Sequence, residues 1–488
     1  MAGTIEGLPE TGVWIDNASH PAASGETFAT LNPATGEVIT RVASGDEPDV
    51  SRAVDSARAA LRNPAWGRID PHERARLLWR LAELIEENAD ELARLETADN
   101  GKTWFESRKV DLPQVVSTFR YFAGMADKVH GETIPVPGPF MNYTRREPVG
   151  VVGCIVPWNF PLSLASWKVA PALACGNTVV LKPAEETPLS ALRLGELAAE
   201  AGLPPGVLNV VPGFGTKAGA ALVQHPDVAL ISFTGSTETG RLIVREAAGT
   251  LKQVSLELGG KSPNVIFADA DVGAAIRGAA SGIFYGKGEV CAAGSRILVE
   301  RPVYDEVVDA LAERAASLTP GDPMARETRM GAIVSETQLE RVLGYIDAGR
   351  REGARLVAGG RRHDPGGRGF FVEATVFADV TPEMTIAREE IFGPVAAVLP
   401  FDDFEEGIEL ANRTIYGLAA GVWTRDVAKA HRFAAAVDAG VVWVNTYNRY
   451  DPATSFGGFK ASGSGRELGM KAALEKYTRE KSVWVSLA

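Results

Sequence analysis

The sequence is poor in cysteine, contains no long hydrophobic run and shows no excess of positive charge. Three cysteines in 488 residues are too few for a disulfide framework, and the six histidines lack the spacing of metal ligands. These absences argue against a disulfide-stapled secreted domain, a structural metal, and a Ser-His or Cys-His catalytic pair readable from local sequence. We therefore expect a functional site without a metal.

Hydrophobicity and charge also predict where the protein works. The longest apolar stretch, Val149 to Trp158, is far shorter than the roughly 20 residues that a membrane-spanning helix needs. Met1 to Ala18 contain no basic segment followed by an apolar run, so we expect no secretory leader there. Acidic residues outnumber basic ones by 62 to 50, giving a formal net charge of −12 without basic clusters. These features predict a cytoplasmic protein that binds neither nucleic acid nor membrane.

The length suffices for about three structural units, and short β-branched runs alternate with helical segments along most of it. Helical periodicity covers Val50–Arg62 and His72–Asn100. A first alternating series has expected strands at Val149–Val156, Thr178–Leu181, Val207–Val211, Ala229–Phe233 and Gln253–Leu258, with helices at Leu164–Ala174, Leu189–Ala201, Ala218–Val223 and Glu238–Ala248. Such alternation is typical of a parallel sheet with helices on both faces.

A second series of the same kind follows. Its expected elements are Val272–Phe284, Arg296–Val299, Tyr304–Ser317, Gln338–Glu352, Ala396–Phe401, Phe404–Asn412 and Gly440–Asn445. Two remaining pieces, Gly131–Arg146 and Tyr477–Leu487, have the alternation of strands, and we expect them to pair with each other or with a neighbouring subunit. The pattern predicts two successive α/β domains.

Open parallel sheets bind ligands beyond the carboxyl ends of their strands. Lys182 and Glu185 follow one expected strand, and the small-residue turn Thr234–Gly240 follows another and leads into a helix. A carboxylate there can bind ribose hydroxyls, and a helix N-terminus can receive a pyrophosphate. Both features favour a dinucleotide site, although the glycine spacing is not the usual fingerprint and such a turn is also an ordinary N-cap.

Cys291 lies in a glycine-flanked loop between an expected helix and strand. Cys154 and Cys175 stand in apolar segments and are interpreted as small buried hydrophobes. Flanking glycines permit a close approach to a ligand, and the cationic Lys287 and Arg296 could favour the thiolate. Cys291 is therefore the candidate nucleophile.

A thiol that attacks a carbonyl needs a group to hold the oxyanion and, for hydrolysis, a general base. Asn159 follows the first expected strand and could offer its amide beside the backbone N–H of Cys291. Glu257 ends an apolar strand, where burial should raise its pKa. Two alternatives stay open: Asn159 as a turn-forming residue, and Glu257 as a partner in a surface ion pair.

Seven motifs in one order resemble the aldehyde dehydrogenase superfamily from about Trp14 to the C-terminus. They are Pro157–Pro161, Lys182–Glu185, Phe233–Gly240, Glu257–Gly260, the Cys291 loop, Glu389–Pro394 and Phe456–Lys460. The resemblance implies a Rossmann-like NAD-binding domain (residues 1–125 and 149–258), a catalytic domain (259–460) and a small β oligomerisation domain (126–148 and 470–488). It also implies a homodimer or homotetramer.

The resemblance further implies a role for particular residues. Cys291 matches the nucleophile that carries a thiohemiacetal and then a thioester, Glu257 the base that activates water, and Asn159 the oxyanion donor. Lys168 and Glu467 match residues linked with proton relay to the base. The residues that would bind the cofactor are Val156, Pro157, Trp158, Lys182, Glu185, Gly215, Phe233, Gly235, Ser236, Glu390 and Phe392.

Cofactor and substrate preferences follow from the same resemblance. A carboxylate at Glu185 favours NAD over NADP, with some tolerance from Lys182. The substrate tunnel would be lined by Val115, Phe160, Leu164, Trp167, Tyr285, Tyr450 and Phe456, which favours aliphatic or aromatic aldehydes. A semialdehyde, if Arg449 turns inward, and a quaternary-ammonium aldehyde held by the aromatic rings are the alternatives.

The chain departs from similar sequences near the nucleophile. Glu289 stands where Gln is common, Gly286 where Asn is frequent, and Ser455 where Pro is frequent. A carboxylate so close to Cys291 would raise the thiol pKa unless Lys287 offsets it.

The residues around Cys291 also bear on rival functions. Glu257 favours hydrolysis over transfer of the acyl group to coenzyme A. A catalytically idle structural paralogue is disfavoured because Cys291, Glu257 and Asn159 are all retained.

Overall fold

The computed structural model describes residues 10–363 and 366–488. Residues 1–9, which belong to the predicted NAD-binding domain and to the segment inspected for a leader, lie outside this description. Among the described residues, no helix combines the length and the apolar character that crossing a membrane requires.

The strands give the framework of the fold. In chain order they are β1 (Val13–Ile15), β2 (Ala18–His20), β3 (Thr27–Leu31), β4 (Val38–Ala43), β5 (Thr133–Ile134), β6 (Phe140–Pro148), β7 (Val151–Ile155), β8 (Thr178–Lys182), β9 (Leu208–Val210), β10 (Val228–Thr234), β11 (Gln253–Glu257), β12 (Pro263–Ile266), β13 (Arg296–Glu300), β14 (Arg355–Ala358), β15 (Arg362–His363), β16 (Phe371–Val372), β17 (Thr375–Ala378), β18 (Val395–Phe401), β19 (Tyr416–Gly417), β20 (Ala419–Trp423), β21 (Val441–Val444), β22 (Phe459–Lys460) and β23 (Thr478–Ser486).

Helices connect most of the longer strands. The α-helices are α1 (Glu47–Arg62), α2 (Pro64–Gly67), α3 (Pro71–Glu87), α4 (Ala89–Asn100), α5 (Trp104–Glu106), α6 (Leu112–Ala123), α7 (Pro161–Ala174), α8 (Leu189–Glu200), α9 (Ala220–Gln224), α10 (Thr237–Ala247), α11 (Val272–Phe284), α12 (Tyr304–Ser317), α13 (Glu336–Arg351), α14 (Thr385–Arg388), α15 (Phe404–Asn412), α16 (Val427–Ala436) and α17 (Met470–Tyr477). π-helical turns occupy Ser107–Asp111 and Gly215–Gly219, and 3-10 turns occupy Ala248–Thr250, Tyr285–Gly288 and Arg301–Val303.

The first sheet has the strand order β11-β10-β7-β8-β9-β1-β2, and the strands from β11 to β9 are parallel. Strands β7 and β8 are buried along their whole length, as expected for strands covered by helices on both faces. The chain runs from β7 outward through β8 and β9, then returns to β10 on the other side of β7. This reversal creates a crevice at the carboxyl ends of β7 and β10, where open α/β sheets bind their ligands.

The second sheet has the order β14-β17-β18-β13-β12-β20-β21, in which only the edge strand β14 is antiparallel among these strands. Its strands follow the first sheet's in sequence and form a second α/β layer. The predicted α/β class is therefore confirmed, whereas the residue limits of the three domains stay a prediction.

The third sheet is small and antiparallel, with the order β5-β6-β23. Strand β23 pairs with β6 along its whole length, from Thr478 opposite Pro148 to Ser486 opposite Phe140. This pairing confirms that the two remaining pieces complete each other within one chain.

Several sequence-based boundaries differ from those of the structure, and two of the differences have a local cause. The segment His72–Asn100, predicted as one helical stretch, is two helices that break at Asn88. The carbonyl oxygen of Leu84 accepts both the backbone N–H of Asn88 at 3.0 Å and its side-chain amide at 2.8 Å, and this cap ends the first helix. Helix α7 begins at Pro161 rather than at Leu164, because proline has the backbone angle of a first helical residue and needs no N–H partner there.

Candidate active site

A cavity of about 580 Å³ opens at the carboxyl ends of β7, β8, β10 and β11. All the residues that the sequence predicted to bind the cofactor line it, namely Val156, Pro157, Trp158, Lys182, Glu185, Gly215, Phe233, Gly235, Ser236, Glu390 and Phe392. Asn159 and Cys291 line the same cavity. The sequence motifs, which are spread over more than two hundred residues, therefore meet in one place.

One part of this cavity combines a carboxylate with a helix N-terminus. The Lys182 amino group donates to the Glu185 carboxylate at 2.9 Å, and the Glu185 side chain is one-third exposed while that of Lys182 is buried. Ser236 caps helix α10 by accepting the backbone N–H of Thr239 at 3.1 Å. The turn is thus a real N-cap, and the remaining N–H groups of the first turn give this end of the cavity a positive potential.

Another part of the cavity holds Glu390. Its carboxylate accepts the backbone N–H of Gly260 at 2.9 Å, and burial raises its pKa to about 7. Trp158 and Phe392 face each other edge to face across this region, with ring centroids 5.2 Å apart. The two rings therefore contact each other, and together with the Glu390 carboxyl group they form part of the cavity wall.

Two side chains of α13 hold the backbone of the segment around Glu390. Phe392 has a positive φ of 60°, which side chains other than glycine rarely adopt. Gln338 donates its side-chain amide to the Phe392 carbonyl oxygen at 2.7 Å, and Arg341 donates to that of Glu390 at 3.1 Å. The sequence interpretation missed both residues. Their spacing of three places them on one helix face, but this pattern does not indicate which backbone carbonyl groups they bind.

Cys291 is partly exposed, whereas Cys154 and Cys175 are buried, as predicted. Burial, together with the nearby Glu390 and Glu257 carboxylates, raises the pKa of the Cys291 thiol to about 12. The backbone N–H groups of Ala292 and Cys291 act in the opposite direction. The described surroundings thus hold Cys291 as a neutral thiol.

The predicted cationic support of Cys291 was wrong. Lys287 lies 2.7 Å from the Glu289 carboxylate and also donates to the Asn100 carbonyl and side-chain oxygens. The Arg296 guanidinium donates to backbone carbonyl oxygens, including those of Leu410 and Ala411. Both cations are therefore engaged with other groups. The negative charge of Glu289 is offset by Lys287, as the sequence allowed.

The loop that carries the nucleophile is fastened by buried polar groups. The backbone N–H of Gly286 donates to Glu106 at 2.8 Å, and the Glu289 carboxylate accepts the backbone N–H of Val334 at 3.1 Å. Gly286 and Lys287 both have positive φ values, 57° and 61°. The glycine at 286 fits its left-handed conformation, whereas Lys287 adopts it against its usual preference and is held there by its hydrogen bonds.

Asn159 is buried next to this loop. Its amide nitrogen donates to the carbonyl oxygen of Glu289 at 2.9 Å, and the two residues are 130 positions apart in the chain. This long-range contact is not the local bond of a turn-forming asparagine. Because an amide nitrogen carries two hydrogens, the second one remains for an acceptor in the cavity that Asn159 shares with Cys291.

Glu257 ends β11 with only 3% of its surface exposed, so the alternative of a surface ion pair was wrong. Within residues 10–363 and 366–488, neither carboxylate oxygen has a hydrogen-bond partner. Burial raises the pKa of Glu257 well above its usual value, and the negative charge of Glu467 adds to this effect. The direction predicted from sequence is confirmed.

Lys168 and Glu467 form a buried ion pair near Glu257. The Lys168 amino group lies 2.5 Å from Oε1 of Glu467, and Lys476 donates to the same oxygen at 2.8 Å. Sequence analysis missed Lys476, because α17 is a short helix with polar residues on most of its faces and no pattern singles out one lysine.

The predicted tunnel residues include an aromatic cluster. Trp167 packs against Phe456 and Tyr450 with centroid distances of 5.3 and 6.0 Å, and Phe160 stacks on Tyr285 at 6.2 Å. The remaining two residues of the predicted set, Val115 and Leu164, are buried on α6 and α7 in the same hydrophobic cluster.

Arg449, the cation that the sequence offered for a substrate carboxylate, lies outside the aromatic cluster. Arg449 is exposed and not turned into the aromatic cluster, although it is adjacent in sequence to Tyr450. Tyr450 donates its hydroxyl to the Asn448 side chain at 3.2 Å. The cluster around Tyr450 is therefore mainly apolar and aromatic.

Comparison with known proteins gives consistent results. Residues 20–483 match the model of the Aldehyde dehydrogenase family. The chain is 52% identical over 477 residues to the mitochondrial aldehyde dehydrogenase of Homo sapiens. This alignment covers 97% of this chain and 92% of that protein.

Solved structures agree in fold. The NAD⁺ complex of an aldehyde dehydrogenase from Bacillus cereus superposes with a TM-score of 0.97 at 52% identity, covering 98% of this chain and 97% of that one. A mutant of AldA, the indole-3-acetaldehyde dehydrogenase of P. syringae, in complex with NAD⁺ and IAA superposes with a TM-score of 0.96 at 48% identity, covering 98% and 96%.

Proposed function

The chain belongs to the aldehyde dehydrogenase family, and we propose that it oxidises an aldehyde to the carboxylic acid through a covalent intermediate on Cys291. The observation that carries this proposal is the shared cavity, in which Cys291 and Asn159 lie beside the predicted cofactor residues. Glu257 is close enough to raise the pKa of the Cys291 thiol. A nucleophile, an oxyanion donor and a base are therefore gathered around one reaction centre.

The residues of the cavity fit NAD. Glu185 offers a partly exposed carboxylate for ribose hydroxyls, the N-terminus of α10 lines the cavity for a pyrophosphate, and the contacting rings of Trp158 and Phe392 give the cavity an aromatic wall for a flat ring. The volume is within the usual range of small-molecule sites. When bound, NAD⁺ accepts the hydride that leaves the substrate carbon. A carboxylate at Glu185 repels a 2′-phosphate, so we propose a preference for NAD over NADP.

The first half-reaction uses Cys291 and Asn159. The Cys291 sulfur attacks the aldehyde carbon as its thiol proton passes to solvent water, and a C–S bond forms while the carbonyl π electrons move to oxygen. Asn159 and the backbone N–H of Cys291 donate to this oxygen. The oxygen lone pair then re-forms the carbonyl as hydride leaves, which gives a thioester on Cys291.

The second half-reaction uses Glu257. Its ionised carboxylate takes a proton from water, and the water oxygen attacks the thioester carbon. The C–S bond breaks and the carboxylic acid leaves, while the Cys291 sulfur takes the proton from Glu257, which restores both the thiol and the ionised carboxylate. Burial without a hydrogen-bond partner leaves Glu257 a stronger base than an exposed carboxylate.

The aromatic cluster supports aliphatic or aromatic aldehydes as substrates. Trp167, Tyr450 and Phe456 pack together, and the exposed position of Arg449 gives no support to a semialdehyde with a terminal carboxylate. An aldehyde with a quaternary ammonium group is the second candidate, because such a cation is attracted to aromatic faces.

The domain limits and the assembly are also part of the proposal. We assign 1–125 and 149–258 to the NAD-binding domain, 259–460 to the catalytic domain, and 126–148 with 470–488 to an oligomerisation domain. The β5-β6-β23 sheet supports a dimer or tetramer because its large apolar residues, among them Phe140, Met141 and Trp484, are exposed.

A panel of aldehydes assayed by NADH absorbance tests the function. The panel includes aliphatic, aromatic, semialdehyde and quaternary-ammonium members, each with NAD and with NADP. We expect NADH formation with the wild type, its loss in Cys291→Ala, and its retention in the matched control Cys154→Ala. The proposal is overturned if no aldehyde reduces NAD, or if Cys291→Ala keeps its dehydrogenase activity.

A further inference from the structure

One oxygen of Glu467 accepts two lysines from different parts of the chain. Lys168 on α7 lies 2.5 Å from Oε1, and Lys476 on α17 lies 2.8 Å from the same atom. Their side chains are buried, with 0% and 7% of the surface exposed, and that of Glu467 is 1% exposed. Ser232 donates to this oxygen from a longer distance, 3.4 Å.

Two buried cations on one carboxylate leave an excess of positive charge. Burial alone would raise the pKa of Glu467, but Lys168 and Lys476 outweigh it and the pKa is lowered. A buried charge is tolerated when a partner of opposite charge lies near it. The nearby group able to supply the second negative charge is Glu257, which interacts with Glu467, Lys168 and Lys476.

Charge balance therefore depends on the ionisation of Glu257. With Glu257 ionised, two lysines face two carboxylates. With Glu257 protonated, one positive charge is in excess. Removing Lys476 reverses this preference, because the ionised form would then place two carboxylates against Lys168 alone.

Three other titratable groups lie around this cluster. Arg466 keeps its positive charge, but its side chain is partly exposed and lowers the pKa of Glu257 less than either lysine does. The Cys154 thiol is buried and its pKa is raised to about 12 by burial, so it stays neutral. The ring of Tyr477 lies 5.0 Å from the Lys476 amino group, and burial raises the pKa of its phenol.

Backbone contacts tie this cluster to the base. Glu467 and Phe456 exchange two backbone hydrogen bonds, at 2.7 and 2.8 Å. The next residue, Gly457, packs against Glu257 so closely that an added Cβ would lie 2.6 Å from Oε1 of Glu257. The position of Glu467 is therefore linked to that of the Glu257 carboxylate.

We propose that Lys476 is a positioning residue for the hydrolytic step, which together with Lys168 balances Glu467 and Glu257 so that Glu257 can carry a negative charge. The inference rests on the proposed role of Glu257 as the base. Lys476 acts through Glu467 and touches neither substrate nor cofactor.

The test is the pH profile of steady-state turnover in Lys476→Met, measured beside the first-turnover burst of NADH. Loss of the cation should move the acidic limb of kcat to higher pH by about one unit, so that kcat on this limb falls about tenfold. The burst amplitude should persist, because hydride transfer precedes the step that uses Glu257. Should Lys476→Met fold poorly, Lys476→Gln removes the same charge and carries the same expectation.

Two variants separate this effect from loss of structure. Lys476→Arg keeps the charge and should restore the wild-type profile. Lys471→Met changes the same residue type on the same helix, but its side chain is 91% exposed, and it should leave the profile unchanged.

Two results would overturn the role of Lys476. One is a Lys476→Met profile that superposes on that of the wild type, and the other is an equal shift in Lys471→Met. A wild type that reduces NAD with none of the aldehydes would instead contradict the proposed function itself.

Discussion

The Lys287 ammonium lies 2.7 Å from the Glu289 carboxylate, and both side chains are buried, with 2% and 1% of their surfaces exposed. Burial lowers the pKa of Lys287 and raises that of Glu289, so each group is disfavoured as an ion without the other. Glu289 also accepts the N–H of Val334, and its own carbonyl accepts the amide of Asn159. The pair therefore fixes the loop that presents Cys291.

Neutralising one member of this pair should lower the free energy of unfolding far more than neutralising both. Glu289→Gln or Lys287→Gln leaves a buried charge unpaired, and we expect each to lower the free energy of unfolding by about 3 kcal/mol or more. The double variant restores neutrality and should recover most of this loss. Urea denaturation of the four proteins measures the coupling. Additive losses would show that the two side chains do not stabilise each other.

The reactivity of the Cys291 thiol should respond to the charge of Glu390. Burial, Glu390 and Glu257 raise the thiol pKa to about 12, and removing a negative charge lowers it. We expect Glu390→Gln to increase the rate of iodoacetamide alkylation of Cys291 at neutral pH about tenfold, which corresponds to one pKa unit. Glu389→Gln changes the neighbouring carboxylate, which is exposed and accepts the hydroxyl of Tyr345, and as the control it should leave the rate near that of the wild type. An increase in Glu389→Gln as large as that in Glu390→Gln would contradict this assignment.

Sequence reasoning succeeded where a local pattern had a local cause. The strand endings before Asn159, Glu185 and Ser236 were readable from β-branched runs, and parallel topology then brought these residues to one edge. The burial of Glu257 also followed from its place at the end of an apolar strand.

Long-range polar contacts were not readable in the same way. Lys287 was expected to assist Cys291 because it is four residues away, but the left-handed backbone at Gly286 and Lys287 turns its side chain toward Asn100. Lys476 meets Glu467 after the left-handed backbone of Leu468 and Gly469 has turned the chain into α17. Partner choice among lysines depends on tertiary packing, which spacing along the chain does not reveal.

The exposed apolar side chains of the β5-β6-β23 sheet should determine the assembly. Trp484 is 60% exposed on β23, and Phe140 packs beside it with ring centroids 6.1 Å apart. If this sheet joins subunits, Trp484→Glu should lower the molar mass measured by light scattering at least twofold. Val427→Glu changes a residue that is 70% exposed on another surface and should leave the mass unchanged. Equal masses for both variants and the wild type would exclude Trp484 from the interface.

Glu185 should control the choice of cofactor. Its carboxylate is held by Lys182 at the edge of the cavity, where it can accept ribose hydroxyls and repel a 2′-phosphate. We expect Glu185→Gln to lower kcat/KM for NAD about tenfold, the value of one lost charged hydrogen bond, and to raise it for NADP. Glu196→Gln on α8, which changes a partly exposed carboxylate bonded to Arg193, is the control. Unchanged ratios of the two cofactors in Glu185→Gln would argue against this role.

Glu257 should separate the two halves of the reaction. Hydride transfer uses Cys291 and the oxyanion donors but no base for water, whereas hydrolysis of the thioester needs that base, so Glu257→Gln should keep the NADH burst and lower steady-state turnover about 10²- to 10⁴-fold. In the wild type, turnover should fall as pH decreases through the raised pKa of Glu257, because only the ionised carboxylate accepts a proton from water. This acidic limb should disappear in Glu257→Gln, and Cys291→Ala, which has no nucleophile, should show neither burst nor turnover. A Glu257→Gln variant that loses the burst as well would assign Glu257 to the first half-reaction, since a base used only for water cannot affect a step that precedes it.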